Sequence, residues 1–349
     1  MSPAGPEVIG HLRDGSPVHA HTIGGPGQPQ VRILDLGATV ASLHAFSADS
    51  TGARASIVLG HRDLAGYTAT PTAYFGATVG RYANRIAHSQ FTLGGATYTL
   101  PPNEGDTCLH GGPRGFHSRL WTVTETSRDR VALELVSADG DQGFPGELTA
   151  TVTYTVTDHT VRVDLTATTT APTVVNLTNH TYWNLAGEGS CSVDGHHLTV
   201  DAERYLPIDD HSIPLAGPEP VAGTPLDLRL GSAIGAAVRA VHPQTATTRG
   251  IDHCYLIVGD GIRRAARLED PRTGRSLEVH TDQPGLQVYT GNYLDGSTLG
   301  TSGRCYRQGD GVALETQNLP DAPNRDWAPS PTLSPGQVYA SSTVWRFSE

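Results

Sequence analysis

Six short polar clusters stand out along this chain, each beside strand-like sequence. They are Gly80-Arg81-Tyr82-Ala83-Asn84-Arg85-Ile86, Leu109-His110-Gly111-Gly112, Asn176-Leu177-Thr178-Asn179-His180-Thr181-Tyr182-Trp183-Asn184-Leu185, Gly250-Ile251-Asp252-His253, Thr281-Asp282-Gln283-Pro284-Gly285 and Leu314-Glu315-Thr316-Gln317-Asn318-Leu319-Pro320-Asp321. Singly, each has an ordinary structural explanation. A histidine before two glycines suits a loop, and Asn-rich turns satisfy their own backbone. Glu315 fits a solvent-facing strand position, and Arg85 fits a surface ion pair. Several other chemistries lack their patterns. Among 16 histidines there is no H-E-x-x-H, and His19-Ala20-His21 lies in a Gly/Pro-rich leader, so no metal site is expected. No G-x-S-x-G elbow occurs. Cys108, Cys191, Cys254 and Cys305 form no C-x-x-C pair and read as free thiols of a reducing compartment. All 24 basic residues are arginine. Without lysine there can be no Schiff base, no P-loop lysine and no Ser-x-x-Lys nucleophile.

The elements that must position these clusters are strands. Ala150, Val152, Tyr154 and Val156 alternate with threonines, and after Thr157-Asp158-His159 the alternation resumes at Val161, Val163, Leu165 and Ala167. A period of two marks antiparallel strands with one buried side. The same rhythm appears at Val131, Leu133 and Leu135, at Leu277 and Val279, and after Gln283-Pro284-Gly285 at Leu286 and Val288. Helical periodicity is confined to a short segment over Leu230 to Val241. The 40 glycines and 24 prolines fall between short strands, which predicts a large all-β antiparallel sandwich. Residues 1–349 read as one domain, with 1–27 a loosely ordered leader that has no assignable role.

Net charge is −11, from 24 basic and 35 acidic side chains, with no basic cluster. That balance repels phosphate backbones and anionic membrane surfaces, so neither nucleic acid nor membrane is an expected partner. No apolar run approaches the roughly 18 residues of a membrane-spanning helix. Met1 to Gly10 shows no secretory pattern, so a cytoplasmic location is expected.

Read together and in order, the clusters resemble the signature set of the aldose 1-epimerase (galactose mutarotase) family: G-R-x-A-N-R-I, L-H-G-G, N-L-T-N-H-x-Y-x-N-L, G-x-D-H, T-x-Q-P-G and L-E-T-Q-N-x-P-D. The resemblance runs from about Leu59-Gly60 to Trp345-Arg346-Phe347. It implies a β-sandwich with an open sugar cleft and no cofactor. It also implies roles: His180 as general acid, Glu315 as general base, and His110 near the ring oxygen. Asn84, Arg85, Asp252 and Gln283 fall on positions that bind sugar hydroxyls.

The residue chemistry agrees. Interconverting the anomers of a monosaccharide requires the C1 hydroxyl to lose a proton while the ring oxygen gains one. No oxidation state changes, so one acid and one base suffice, each contributing roughly 10²–10⁴ in rate. Glutamate near its usual value is ionised at pH 7, and nearby carboxylates would favour an imidazolium at His180. His180 is therefore expected to be charged in the resting enzyme. Strand alternation sets Tyr182 on the face of His180 and sends Trp183 to the core. Asn176 and Asn179 are expected to brace the turn. Two positions depart from the family pattern, Tyr82 and Leu319, and Leu319 is expected in the cleft wall. The alternatives are a hexose-6-phosphate 1-epimerase, which would need an arginine cluster, a non-catalytic sugar-binding module, and a glycoside hydrolase, which would need paired carboxylates.

Overall fold

The computed structural model describes residues 5–47, 54–69, 73–190 and 192–349, and the chain folds as antiparallel sheets with three short helices among these residues. The alternating segment forms the expected hairpin. Leu148–Thr157 pairs with Thr160–Thr169, setting Val152 opposite Leu165 and Tyr154 opposite Val163. Asp158 and His159 make the turn, and Asp158 adopts φ 49°, a left-handed conformation that Asp tolerates. Ala150, Val152, Tyr154 and Val156 are buried, as period-two alternation requires.

This hairpin sits in a nine-stranded sheet. The sheet continues through the C-terminal strand Tyr339–Ser348 to Ser276–Thr281 and Arg263–Glu269. A six-stranded sheet packs against it, in the order Tyr182–Trp183, Val312–Gln317, Gly285–Tyr289, Asp252–Leu256, Arg204–Tyr205, Glu219–Pro220. One apolar core joins the two layers. Val161, Leu277, Trp345 and Phe347 come from the larger sheet, and Trp183, Leu286, Val288 and Leu314 from the smaller. Trp183 packs edge-on against Trp345, ring centroids 4.9 Å apart, so its assignment to the core holds.

Three expectations change. The segment Gln283-Pro284-Gly285 does not close a hairpin; it carries the chain from the nine-stranded layer to the six-stranded one. The described part of the leader is built into strands rather than loosely ordered. Glu7–His11, Pro17–Ile23, Gln30–Leu34 and Thr39–His44 form a four-stranded sheet, and Ile23, Val31 and Ile33 are buried in the main core. His19 binds Asp35 through Nδ1 at 2.8 Å, so it serves this sheet. The helix over Leu230–Val241 shrinks to Ile234–Arg239, leaving Leu230 and Val241 exposed. Cys108, Cys254 and Cys305 are free thiols, and Cys191 lies outside the described residues. Among the described residues no helix is long and apolar enough to cross a membrane.

Candidate active site

The site is built on the outer face of the six-stranded sheet. Along Val312–Gln317, Val312 and Leu314 enter the core, while Ala313 and Glu315 face away from it. On the neighbouring strand Leu286 and Val288 point inward, and Gln287 and Tyr289 outward. Pairing places Gln287 opposite Glu315 and Tyr289 opposite Asp252. Adjacent outward side chains on paired strands lie within contact distance, so Asp252, Gln287 and Glu315 form a polar row. Asn84, His110 and Glu104 stand over this floor and close a cleft of about 250 Å³. That is less than the roughly 300–1,000 Å³ of sites for drug-sized ligands and suits one small ring.

His180 and Glu315 face each other, Nε2 to Oε1 at 3.6 Å, both buried. The imidazole lies between two tyrosine rings, Tyr182 at 4.9 Å and Tyr74 at 5.6 Å between centroids, both nearly parallel to it. His110 approaches edge-on at 5.2 Å. The backbone N–H of Asn84 donates to His110 Nδ1 at 3.1 Å, so that nitrogen is unprotonated and the ring's proton sits on Nε2. His110 thus offers a neutral N–H donor. Burial, with His180 and Arg85 nearby, holds it well below the usual histidine range.

The expected charge on His180 is not what this environment favours. Burial pushes its pKa down to about 3. Burial also raises Glu315 well above the usual carboxylate range, and Asp252 adds to that while Arg85 opposes it. Both trends favour an uncharged pair holding its proton on the carboxyl. Glu315 Oε2, His180 Nδ1 and Gln287 Oε1 have no hydrogen-bond partner among the described residues. Such atoms are costly to bury unmatched, and those of a cleft are natural points for a polar ligand.

Arg85 forms a two-point pair with Glu104, Nε to Oε2 at 2.5 Å and Nη2 to Oε1 at 3.0 Å. Its Nη2 lies 3.9 Å from Asp252 Oδ2. Burial works against its charge, but Asp252 and Glu104 outweigh it and hold the guanidinium firmly protonated. Asp252 is raised by burial, offset in part by Arg85 and by Gln287, which donates to its Oδ1 at 2.6 Å.

Of the residues named from sequence, His110, His180, Glu315, Asn84, Arg85, Asp252 and Tyr182 meet in one cleft. Gln283 does not. It lies in the crossing between layers, donates to Asp282 Oδ1 at 3.0 Å, and faces a different groove beside Pro284, Asn318 and Tyr339. The cleft glutamine is Gln287, four residues on; its signal was a lone polar residue alternating with Leu286 and Val288 on a buried strand. Glu104, Tyr74 and Tyr289 also line the cleft. Leu319 does not: it packs with Leu206 and Cys254, and its carbonyl accepts from the Tyr82 hydroxyl at 2.9 Å. The two departures from the family pattern therefore touch each other, outside the residues that line the cleft. Asn176 and Asn179 brace backbone, Asn176 donating to Ala83 O and Asn179 to Gly76 O.

His110, His180 and Glu315 also present ligand atoms within 4.8 Å of one another, a two-histidine, one-carboxylate set that a divalent metal can use. The Asn84 N–H on His110 Nδ1 leaves Nε2 as its open nitrogen, so metal binding there would have to displace that proton.

An antiparallel sandwich with a buried histidine–glutamate pair in a small polar cleft has the groups that acid–base chemistry on a small polar ligand needs. The chain belongs to the aldose 1-epimerase family, whose profile matches residues 19–346. It is 42 % identical to a galactose mutarotase of Rattus norvegicus over 322 residues, 92 % of each chain. It is 40 % identical to an aldose 1-epimerase of Escherichia coli K12 over 339 residues, 96 % of each. Among solved structures, an aldose epimerase homologue from C. elegans superposes with a TM-score of 0.87 at 31 % identity, covering 95 % of this chain and 99 % of that one.

Proposed function

We propose that the protein interconverts the α and β anomers of free aldohexoses such as galactose or glucose, with a monosaccharide as its only required partner. The observation that carries this reading is the His180–Glu315 pair, 3.6 Å apart and buried. The names of the relatives support the same activity.

In this reading Glu315 takes the proton of the C1 hydroxyl while His180 delivers one to the ring oxygen. The C1–O5 bond breaks, C1 becomes an aldehyde, and rotation about C1–C2 exposes its other face. O5 then attacks C1, returns its proton to His180, and the new C1 oxygen recovers a proton from Glu315. His110 donates its Nε2–H towards the ring-oxygen region. Asn84, Arg85, Asp252 and Gln287 hold hydroxyl groups, and Tyr182 gives the sugar an apolar surface.

The His180–Glu315 pair shares one titratable proton between the imidazole and the carboxyl. Burial favours the uncharged arrangement in the empty cleft; a sugar hydrogen-bonded to both groups supplies the dipoles that bring the charged arrangement within reach. The two groups exchange acid and base roles within each turnover. The free thiols Cys108 and Cys254 fit a reducing, cytoplasmic compartment.

Polarimetry of freshly dissolved α-D-galactose, α-D-glucose and glucose 6-phosphate tests the substrate class. The expected result is rapid approach to the equilibrium rotation for at least one free sugar. Acceleration confined to the phosphate would transfer the activity to phosphosugars.

A further inference from the structure

We infer that Glu104 sets the charge selectivity of the cleft: by occupying Arg85 it turns the site against anionic aldoses, uronates and sugar phosphates, in favour of neutral ones. This rests on the aldose 1-epimerase reading above and assigns a role to a residue outside the acid–base pair.

Among the described residues lining the cleft, Arg85 is the one permanent cation, and it stands beside the carboxyl groups of Glu104 and Asp252. A guanidinium fork is what an incoming carboxylate or phosphate would engage at two points. Here the protein's own carboxylate fills that fork, Glu104 accepting from both Nε and Nη2. The same Nη2 also lies 3.9 Å from Asp252 Oδ2. An anionic substituent entering the cleft would find two donors of the cation already taken by Glu104 and a further carboxyl group, Asp252, beside it.

Glu104 is held in place. The backbone of Glu104 and Thr107 bonds in both directions, at 3.1 and 2.9 Å, around the Gly105-Asp106 turn. The preceding Asn103 brackets the backbone of Leu109 with its amide, accepting at 2.7 Å and donating at 3.0 Å. The Ser89 hydroxyl donates to Asp106 O at 2.8 Å. The loop thus presents Glu104 to Arg85 from a fixed frame, and the side chain is still 42 % exposed.

The test compares galactose turnover with inhibition by galacturonate in the wild type, Glu104→Gln and Glu104→Asp. Glutamine keeps the length and removes the charge, so the ratio of the galacturonate Ki to the galactose KM should fall by about tenfold or more. Aspartate keeps the charge and should stay nearer the wild type. A purely structural ion pair would weaken both sugars together and leave the ratio unmoved, which would overturn the inference. A second measurement needs no variant: raising ionic strength should lower the wild-type galacturonate Ki while the galactose KM stays flat. A galacturonate Ki that ignores salt would also overturn it. If the wild type does not turn over galactose or glucose at all, the epimerase reading itself fails, a result distinct from either of these.

Discussion

Acidifying the resting enzyme from pH 7 to pH 5 should leave His180 uncharged. Its ring is 4 % exposed, stacked between Tyr74 and Tyr182, and its pKa is pushed down to about 3 by burial. At pH 5 that leaves about 1 % of the ring protonated, against roughly 97 % for a histidine of ordinary pKa near 6.5. The assay is a ¹⁵N-detected imidazole titration, with the His180 signals assigned by their loss in His180→Asn. The same depression acts on stability. Between about 3 and 6.5 the unfolded chain binds a proton here that the folded chain does not, so stability falls as pH falls through that window. At pH 5 the contribution is about 2 kcal/mol, taking 1.36 kcal/mol per pH unit below 6.5. His180→Asn should therefore lose about 2 kcal/mol less than the wild type between pH 7 and pH 5 in urea unfolding. A His180 midpoint between 6 and 7 would refute the reasoning. It would mean that an ionised Glu315 stands beside the ring in the resting state.

Other outcomes follow from the same geometry. Gln283→Ala should change galactose kinetics less than about twofold, because its side chain lies outside the cleft. Gln287→Ala should lower kcat/KM by about tenfold or more, since Asp252 loses its 2.6 Å donor; steady-state kinetics of the two variants side by side decide between the positions. Trp183→Ala should destabilise the fold by about 3–5 kcal/mol in urea unfolding, as the ring is 1 % exposed against Trp345 and Phe347.

Much of this architecture was legible in the residues. The threonine-spaced hairpin at 148–169 announced itself because one face is buried and the other wet, and the same parity assigned Trp183 to the core and Tyr182 to the cleft. The N-terminal strands were missed because glycine and proline punctuation cuts them short, while the long-range packing of Ile23, Val31 and Ile33 makes them ordered. Gln283 was misplaced for a topological reason. The turn that carries it changes layers, and no local pattern reveals that. The charge expected on His180 rested on carboxylates that are visible in sequence, whereas burial, which pushes its pKa down, is not. The same blindness applies to Leu319, whose contact with Tyr82 joins segments 237 residues apart.

The central claim is that His180 and Glu315 exchange protons with the sugar without help from a metal. The direct measurement is the rate of approach to equilibrium rotation of fresh α-D-galactose, with excess chelator present, for the wild type and Glu315→Gln. Glutamine keeps the shape of the side chain and cannot take the proton, so the account predicts fast mutarotation by the wild type and a loss of about 10²-fold or more in the variant. Mutarotation that survives in Glu315→Gln, or that the chelator abolishes in the wild type, would contradict it.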